Sequence, residues 1–105
     1  MEICALLYQL GVTRNYKGFP QTALAVKLCA EQPDRLLQVT KLVYPDVARR
    51  YGTSWAAVER NIRTVSGVIW RSNPLLLNEL AYVSLPQKPC PAQLLSILAA
   101  SVGFR

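Results

Sequence analysis

The chain has 105 residues, 51% of them hydrophobic and 17% charged, with 12 Lys plus Arg, 6 Asp plus Glu and no His, for a net charge of +6. That length fits one domain, 1–105, and the apolar fraction supplies a core without metal or disulfide staples. Without histidine there is no Ser-His-Asp or Cys-His nucleophile and no His-ligated metal, and the few scattered carboxylates form no acid/base pair, so an enzyme is not expected and no cofactor or metal is implied.

The elements read as helices throughout. Residues 2–10 place Ile3, Leu6, Leu7 and Leu10 at helical spacing, with Gly11 to stop the helix. A second helix runs over 22–30, where Ala23, Val26, Leu28 and Cys29 supply an apolar side and Pro20 is tolerated in a first turn. Asp34 is placed to cap a third helix through Leu36, Leu37 and Val39 towards Leu42 and Val43. Pro45 either kinks that helix or opens a new one over 46–51, which ends at Gly52. Thr53 and Ser54 offer capping hydroxyls for a long helix to Arg71, ended by Ser72-Asn73-Pro74. A short helix over 75–82, a Pro-rich loop over 85–91 and an apolar helix over 92–102 complete the chain. Strand alternation never persists, so the expected class is all-α.

The three cysteines, Cys4, Cys29 and Cys90, form no C-x-x-C pair and read as reduced thiols, each a small core residue. No apolar run reaches the ~18–20 residues of a membrane span, and Glu2 with no basic start makes a poor signal peptide. The expected location is cytoplasmic, at the nucleoid. Charge is concentrated: residues 35–71 carry Arg35, Lys41, Arg49, Arg50, Arg60, Arg63 and Arg71 against Asp46 and Glu59, net +5. Residues 1–34 balance to zero, and 72–105 hold Lys88 and Arg105 against Glu79.

That basic segment also carries a helix-turn-helix spacing, about 45–71. Ala48 is the small residue at which a second helix crosses closely. Gly52, four positions on, takes the turn, and Val58 anchors the second helix six positions later. Val47 and Tyr51 are expected to face the core. Val58, Ile62, Val65 and Ile69 make one apolar stripe. The opposite face collects Ala56, Ala57, Arg60, Arg63, Thr64, Gly67 and Arg71. Small residues there permit close approach to a groove, and arginine suits bidentate contact with guanine. Amides near Ser54 and Trp55 suit a phosphate. The plainer alternative is a solvated helix face, with Glu59 and Arg63 as an i, i+4 pair.

Thr40-Lys41-Leu42-Val43-Tyr44-Pro45-Asp46-Val47-Ala48-Arg49-Arg50-Tyr51, followed by Val58-Glu59-Arg60-Asn61-Ile62-Arg63, resembles the C-terminal effector domain of the stage 0 sporulation protein A family. That family comprises response regulators of endospore formation in Firmicutes. Leu10-Gly11-Val12, Lys17-Gly18-Phe19, Trp70 and Lys88-Pro89 extend the match along almost the whole chain, thinning after Arg71.

The resemblance implies about six helices built around a helix-turn-helix, double-stranded DNA of the TGTCGAA type as partner, and contact with RNA polymerase and its sigma factor. It also implies homodimers on DNA. It assigns Ala57, Glu59, Arg60, Arg63 and Thr64 to the groove side. Lys41, Arg49 and Arg50 match basic positions near the DNA backbone, and the helix chemistry adds Ser54 and Arg71 as phosphate contacts. The family has Arg at the position of Ala57 and His at that of Thr64, so two donors are lost and the preferred box is open to change. The family's N-terminal receiver domain is absent from this sequence, as in an excised domain or a stand-alone paralogue.

The leading expectation is therefore a sequence-specific transcriptional regulator. The alternative is a protein-interaction module that pairs with a full-length sporulation regulator or with polymerase, its DNA reading reduced. Leu75, Leu76, Leu77, Leu80, Leu94, Leu95, Ile97 and Leu98 either close the core or leave a dimer face.

Overall fold

A computed structural model describes residues 2–103; Met1, Phe104 and Arg105, the last of which enters the C-terminal charge count, lie outside the described residues. Among the described residues seven α-helices follow one another: α1 (Ile3–Gln9), α2 (Gly18–Glu31), α3 (Val39–Leu42), α4 (Tyr44–Tyr51), α5 (Trp55–Ser72), α6 (Pro74–Ala81) and α7 (Pro91–Gly103). A 3₁₀ turn over Pro33–Gln38 precedes α3. Among the described residues there is no strand, and the class is all-α.

The apolar stripe of α5 forms the centre. Val58, Ile62, Val65 and Ile69 are fully buried, as their spacing predicts. Helix α2 lies across α5 on one side and against α7 on the other. It contributes Phe19, Ala25, Val26 and Cys29 to the core, and α7 contributes Leu94, Leu95, Leu98 and Ala99. The α2–α5 crossing is close because α2 begins with a glycine. A Cβ on Gly18 would stand 2.5 Å from the Asn61 carbonyl oxygen and 2.6 Å from Val65 Cγ2. Asn61 Nδ2 donates to Gln21 Oε1 at 3.0 Å, tying the helices beside that crossing.

Helix ends follow local chemistry. The Glu2 carboxylate accepts from the amides of Cys4 and Ala5 and caps α1. Those bonds hold its carboxyl below the usual range. Asn73 caps α6 through Oδ1, 3.2 Å from the Leu76 amide, while its Nδ2 donates to the Gln9 carbonyl at 3.0 Å and locks the α5–α6 corner to α1. Pro20 does sit in a first turn, but α2 starts earlier than predicted, at Gly18.

Four expectations fail. The third helix is broken: Gln38 leaves helical geometry (φ −149°, ψ 74°), and Asp34 caps neither piece. Leu37, 80% exposed, contributes nothing to a core that would unify the segment. Pro45 accordingly opens α4. Tyr51 does not face the core; at the last residue of α4 it is 41% exposed, because the chain turns away at Gly52. Cys90 is exposed in the Pro-rich loop and Cys4 is half-buried, so only Cys29 is a true core thiol, pushed up to about 11 by burial. Gly67 is not on an open face: it is buried.

The apolar C-terminal third divides. Leu77, Leu94, Leu95 and Leu98 are fully buried and close the core, and Leu76, Leu80 and Ile97 pack partly against it. Leu75 (75%), Tyr82 (93%) and Val83 (59%) stay exposed around the end of α6. No described helix is long and apolar enough to cross a membrane.

Candidate nucleic-acid interface

The basic segment folds into two helices joined by a tight turn. Helix α4 stops at Gly52, which takes the left-handed conformation (φ 64°, ψ 41°) that L-residues avoid. The Thr53 amide then reaches back to the Ala48 carbonyl at 3.0 Å, the six-residue closure of a Schellman end. Ala48 is 5% exposed where α4 meets α5, and Val58 is fully buried, as a close crossing requires. Ser54 starts α5: its Oγ accepts from the Ala57 amide at 3.1 Å. The cap uses only a lone pair of that oxygen, so the Ser54 hydroxyl hydrogen stays available to a phosphate, beside the Trp55 and Ala56 amides of the first turn.

Beyond the turn, α5 turns its first half outward. Trp55 (48%), Ala56, Arg60, Arg63 and Thr64 are exposed, and Ala57 and Glu59 are half-buried. The predicted groove residues therefore share one side of the helix over its first three turns. The face stops there, because the Pro-rich loop covers the rest. Fully buried Ser66 donates from Oγ to the Pro89 carbonyl at 2.7 Å, and the side chains of Arg71 and Lys88 lie over Gly67.

The cations are not equivalent. Arg63 Nη2 is 3.1 Å from Glu59 Oε1, the i, i+4 pair expected from the sequence. Arg49 pairs with Asp46, one turn back on α4. Lys41, Arg50, Arg60 and Arg71 are exposed, and no ion pair engages them among the described residues. Thr64 Oγ1 donates to the Arg60 carbonyl at 3.2 Å, the usual use of a threonine in mid-helix. Its hydroxyl hydrogen is thus already committed within the helix.

Sequence reasoning missed Arg35. Its Nη1 is 2.6 Å from Asp46 Oδ2 and 2.5 Å from the Leu42 carbonyl, and its Nε donates to Gln32 Oε1 at 2.9 Å. One guanidinium thus fastens the 3₁₀ turn and the end of α3 to the first turn of α4. The Arg35 hydrogen bond holds the Asp46 carboxyl below its ordinary value, with Arg49 adding to it. No periodicity could show this, since the partners lie on different elements. Behind the interface Tyr44 is buried, and that burial, reinforced by Glu59, pushes its phenol up to about 12. Among the described residues no group of three His, Cys, Asp or Glu side chains stands close enough to hold a metal.

The turn, the capped second helix and the free cations beside it describe a surface that can meet a polyanion with a helix projecting from it. The sequence matches the family described as sporulation initiation factor Spo0A C terminal over residues 3–102, nearly its full length, and the chain belongs to that family.

Proposed function

We propose that this chain is a sequence-specific, double-stranded DNA-binding transcriptional regulator of the sporulation type. Membership of a family of DNA-binding effector domains supports the coarse part of this reading. Its finer part rests on one observation: an exposed Arg60, with no ion-pair partner among the described residues, stands on the outward face of the half of α5 that begins at the Ser54 cap. The work is binding rather than catalysis. Helix α5 enters the major groove, which admits an α-helix. Arg60 and Arg63 read or position bases, with Glu59 accepting from a cytosine amine. Ala57 and Thr64 let the helix approach without adding donors. Lys41, Arg49, Arg50 and Arg71, with the amides after Ser54, neutralise or bind phosphates.

Fluorescence anisotropy on duplexes with and without a TGTCGAA box, at two salt concentrations, tests this. Binding is expected to weaken steeply as salt rises, because each neutralised phosphate releases condensed counterions. Absence of salt-sensitive binding to every duplex would sink the reading.

The exposed Leu75, Tyr82 and Val83 favour a second, compatible role in protein contact. RNA polymerase, a sigma factor or a neighbouring copy on DNA are its candidates. Partner binding that survives loss of Arg60 and Arg63 identifies that role as separate from DNA reading.

A further inference from the structure

Two cations from different elements meet over one glycine of α5. A Cβ on Gly67 would stand 3.4 Å from Arg71 Nη1 and 3.9 Å from both Cδ and Nζ of Lys88. Arg71 belongs to the last turn of α5. Lys88 comes from the Pro-rich loop, which the buried bond from Ser66 Oγ to the Pro89 carbonyl holds against the helix at 2.7 Å. The residue next to Lys88 is thus the anchor, which brings the exposed Lys88 side chain to the last turns of α5. Neither cation pairs with a carboxylate among the described residues. Like charges gathered without a counter-charge repel each other, and an anion between them removes that penalty.

Position says which anion. Residues 60, 64, 67 and 71 recur at i, i+4, i+7 and i+11 and lie on one stripe of α5. At 1.5 Å per residue, Arg71 stands about 16 Å further along the axis than Arg60. Gly67 is buried beneath the loop, so the stripe presents no open base-reading face at this end, and the anion that DNA offers away from its base edges is the backbone phosphate.

We propose that Arg71 and Lys88 form a two-cation clamp on a DNA backbone phosphate, which makes the Pro-rich loop a DNA-contacting element. This rests on the DNA-binding reading of α5 and extends it to Lys88. The clamp adds affinity and register but reads no sequence.

Lys88→Met tests it, since methionine keeps an unbranched stem over Gly67 and removes the charge. Lys27→Met, an exposed position on α2, removes the same net charge elsewhere. Both are titrated against a duplex carrying the TGTCGAA box and against a scrambled duplex, with thermal melts to establish folding. Lys88→Met is expected to weaken both duplexes by the same factor. Between about 50 and 200 mM salt the wild-type chain is expected to lose more affinity than Lys88→Met, by at most the ~3.5-fold share of one whole phosphate, since Arg71 stays on it. Lys27→Met is expected to keep the wild-type salt slope. An unchanged slope in Lys88→Met, or an equal change in Lys27→Met, overturns the clamp while leaving the DNA reading intact. Wild-type chain that binds neither duplex overturns the DNA reading first and the clamp with it.

Discussion

Arg60→Ala separates sequence reading from simple charge attraction. Arg60 has no carboxylate partner among the described residues, so its guanidinium is available to a base without first breaking a contact. A good bidentate pair is worth about 1–3 kcal/mol of discrimination, so the loss at the preferred duplex is expected to be about 5- to 150-fold. Arg63 starts from a different state. It is held at 3.1 Å by Glu59 and must release that pair to reach a base. An exposed i, i+4 pair is worth about 0.3–0.5 kcal/mol, so Arg63→Ala is expected to cost about twofold less than Arg60→Ala for the same kind of contact. Alanine is the best helix former and the hydrogen bond from Thr64 to residue 60 uses the backbone carbonyl, so α5 persists in the variant. The measurement is a competition anisotropy titration that compares a duplex from an unbiased selection with a scrambled one. The readout is the ratio of the two affinities. Arg60→Ala is expected to collapse that ratio, and Arg49→Ala to weaken both duplexes equally. Equal losses on both duplexes for Arg60→Ala would refute its role as a reader. A larger loss for Arg63→Ala than for Arg60→Ala would refute the pairing logic.

Two further outcomes concern the scaffold. Gly18→Ala would ordinarily gain helix propensity, but its Cβ meets the Asn61 carbonyl oxygen at 2.5 Å, and backbone cannot step aside. A destabilisation of about 1–3 kcal/mol is expected by thermal denaturation, and an unchanged or raised melting temperature would contradict the close α2–α5 crossing. Asp46→Asn removes the charge that holds Arg35 and Arg49. The side chain of Asp46 is 36% exposed, so solvent screening limits the cost at neutral pH to about 1 kcal/mol. Its folded pKa is depressed, so the stabilisation is complete above the unfolded value of about 3.9 and is lost as pH falls through the folded value below it. Denaturant midpoints of wild type and variant are therefore expected to differ at pH 6 and converge in strong acid; a constant gap across that range would rule out Asp46 as the titrating group.

The all-helical class and the helix-turn-helix were legible in the sequence because their causes are local. The spacing of Val58, Ile62, Val65 and Ile69 specifies a buried stripe whatever packs on it. Gly52 and Ser54 act through the backbone of their own neighbours, ending one helix and starting the next. The basic excess over 35–71 and the outward face of Arg60, Arg63 and Thr64 likewise follow from helical periodicity alone. The motif shared with the sporulation regulators lies in this same stretch.

What remained hidden depends on contacts between distant segments. Pattern alone predicted a continuous third helix, whereas the fold breaks it and fastens the pieces to α4 through Arg35 and Asp46. A helical wheel leaves Gly67 open, yet the Pro-rich loop covers it and brings Lys88 to Arg71. The net charge of +6 states only that a polyanion is attracted. Which cations are already engaged by Asp46 and Glu59, and which stand free along α5, was decided by tertiary packing, because an ion pair depends on where side chains meet in space.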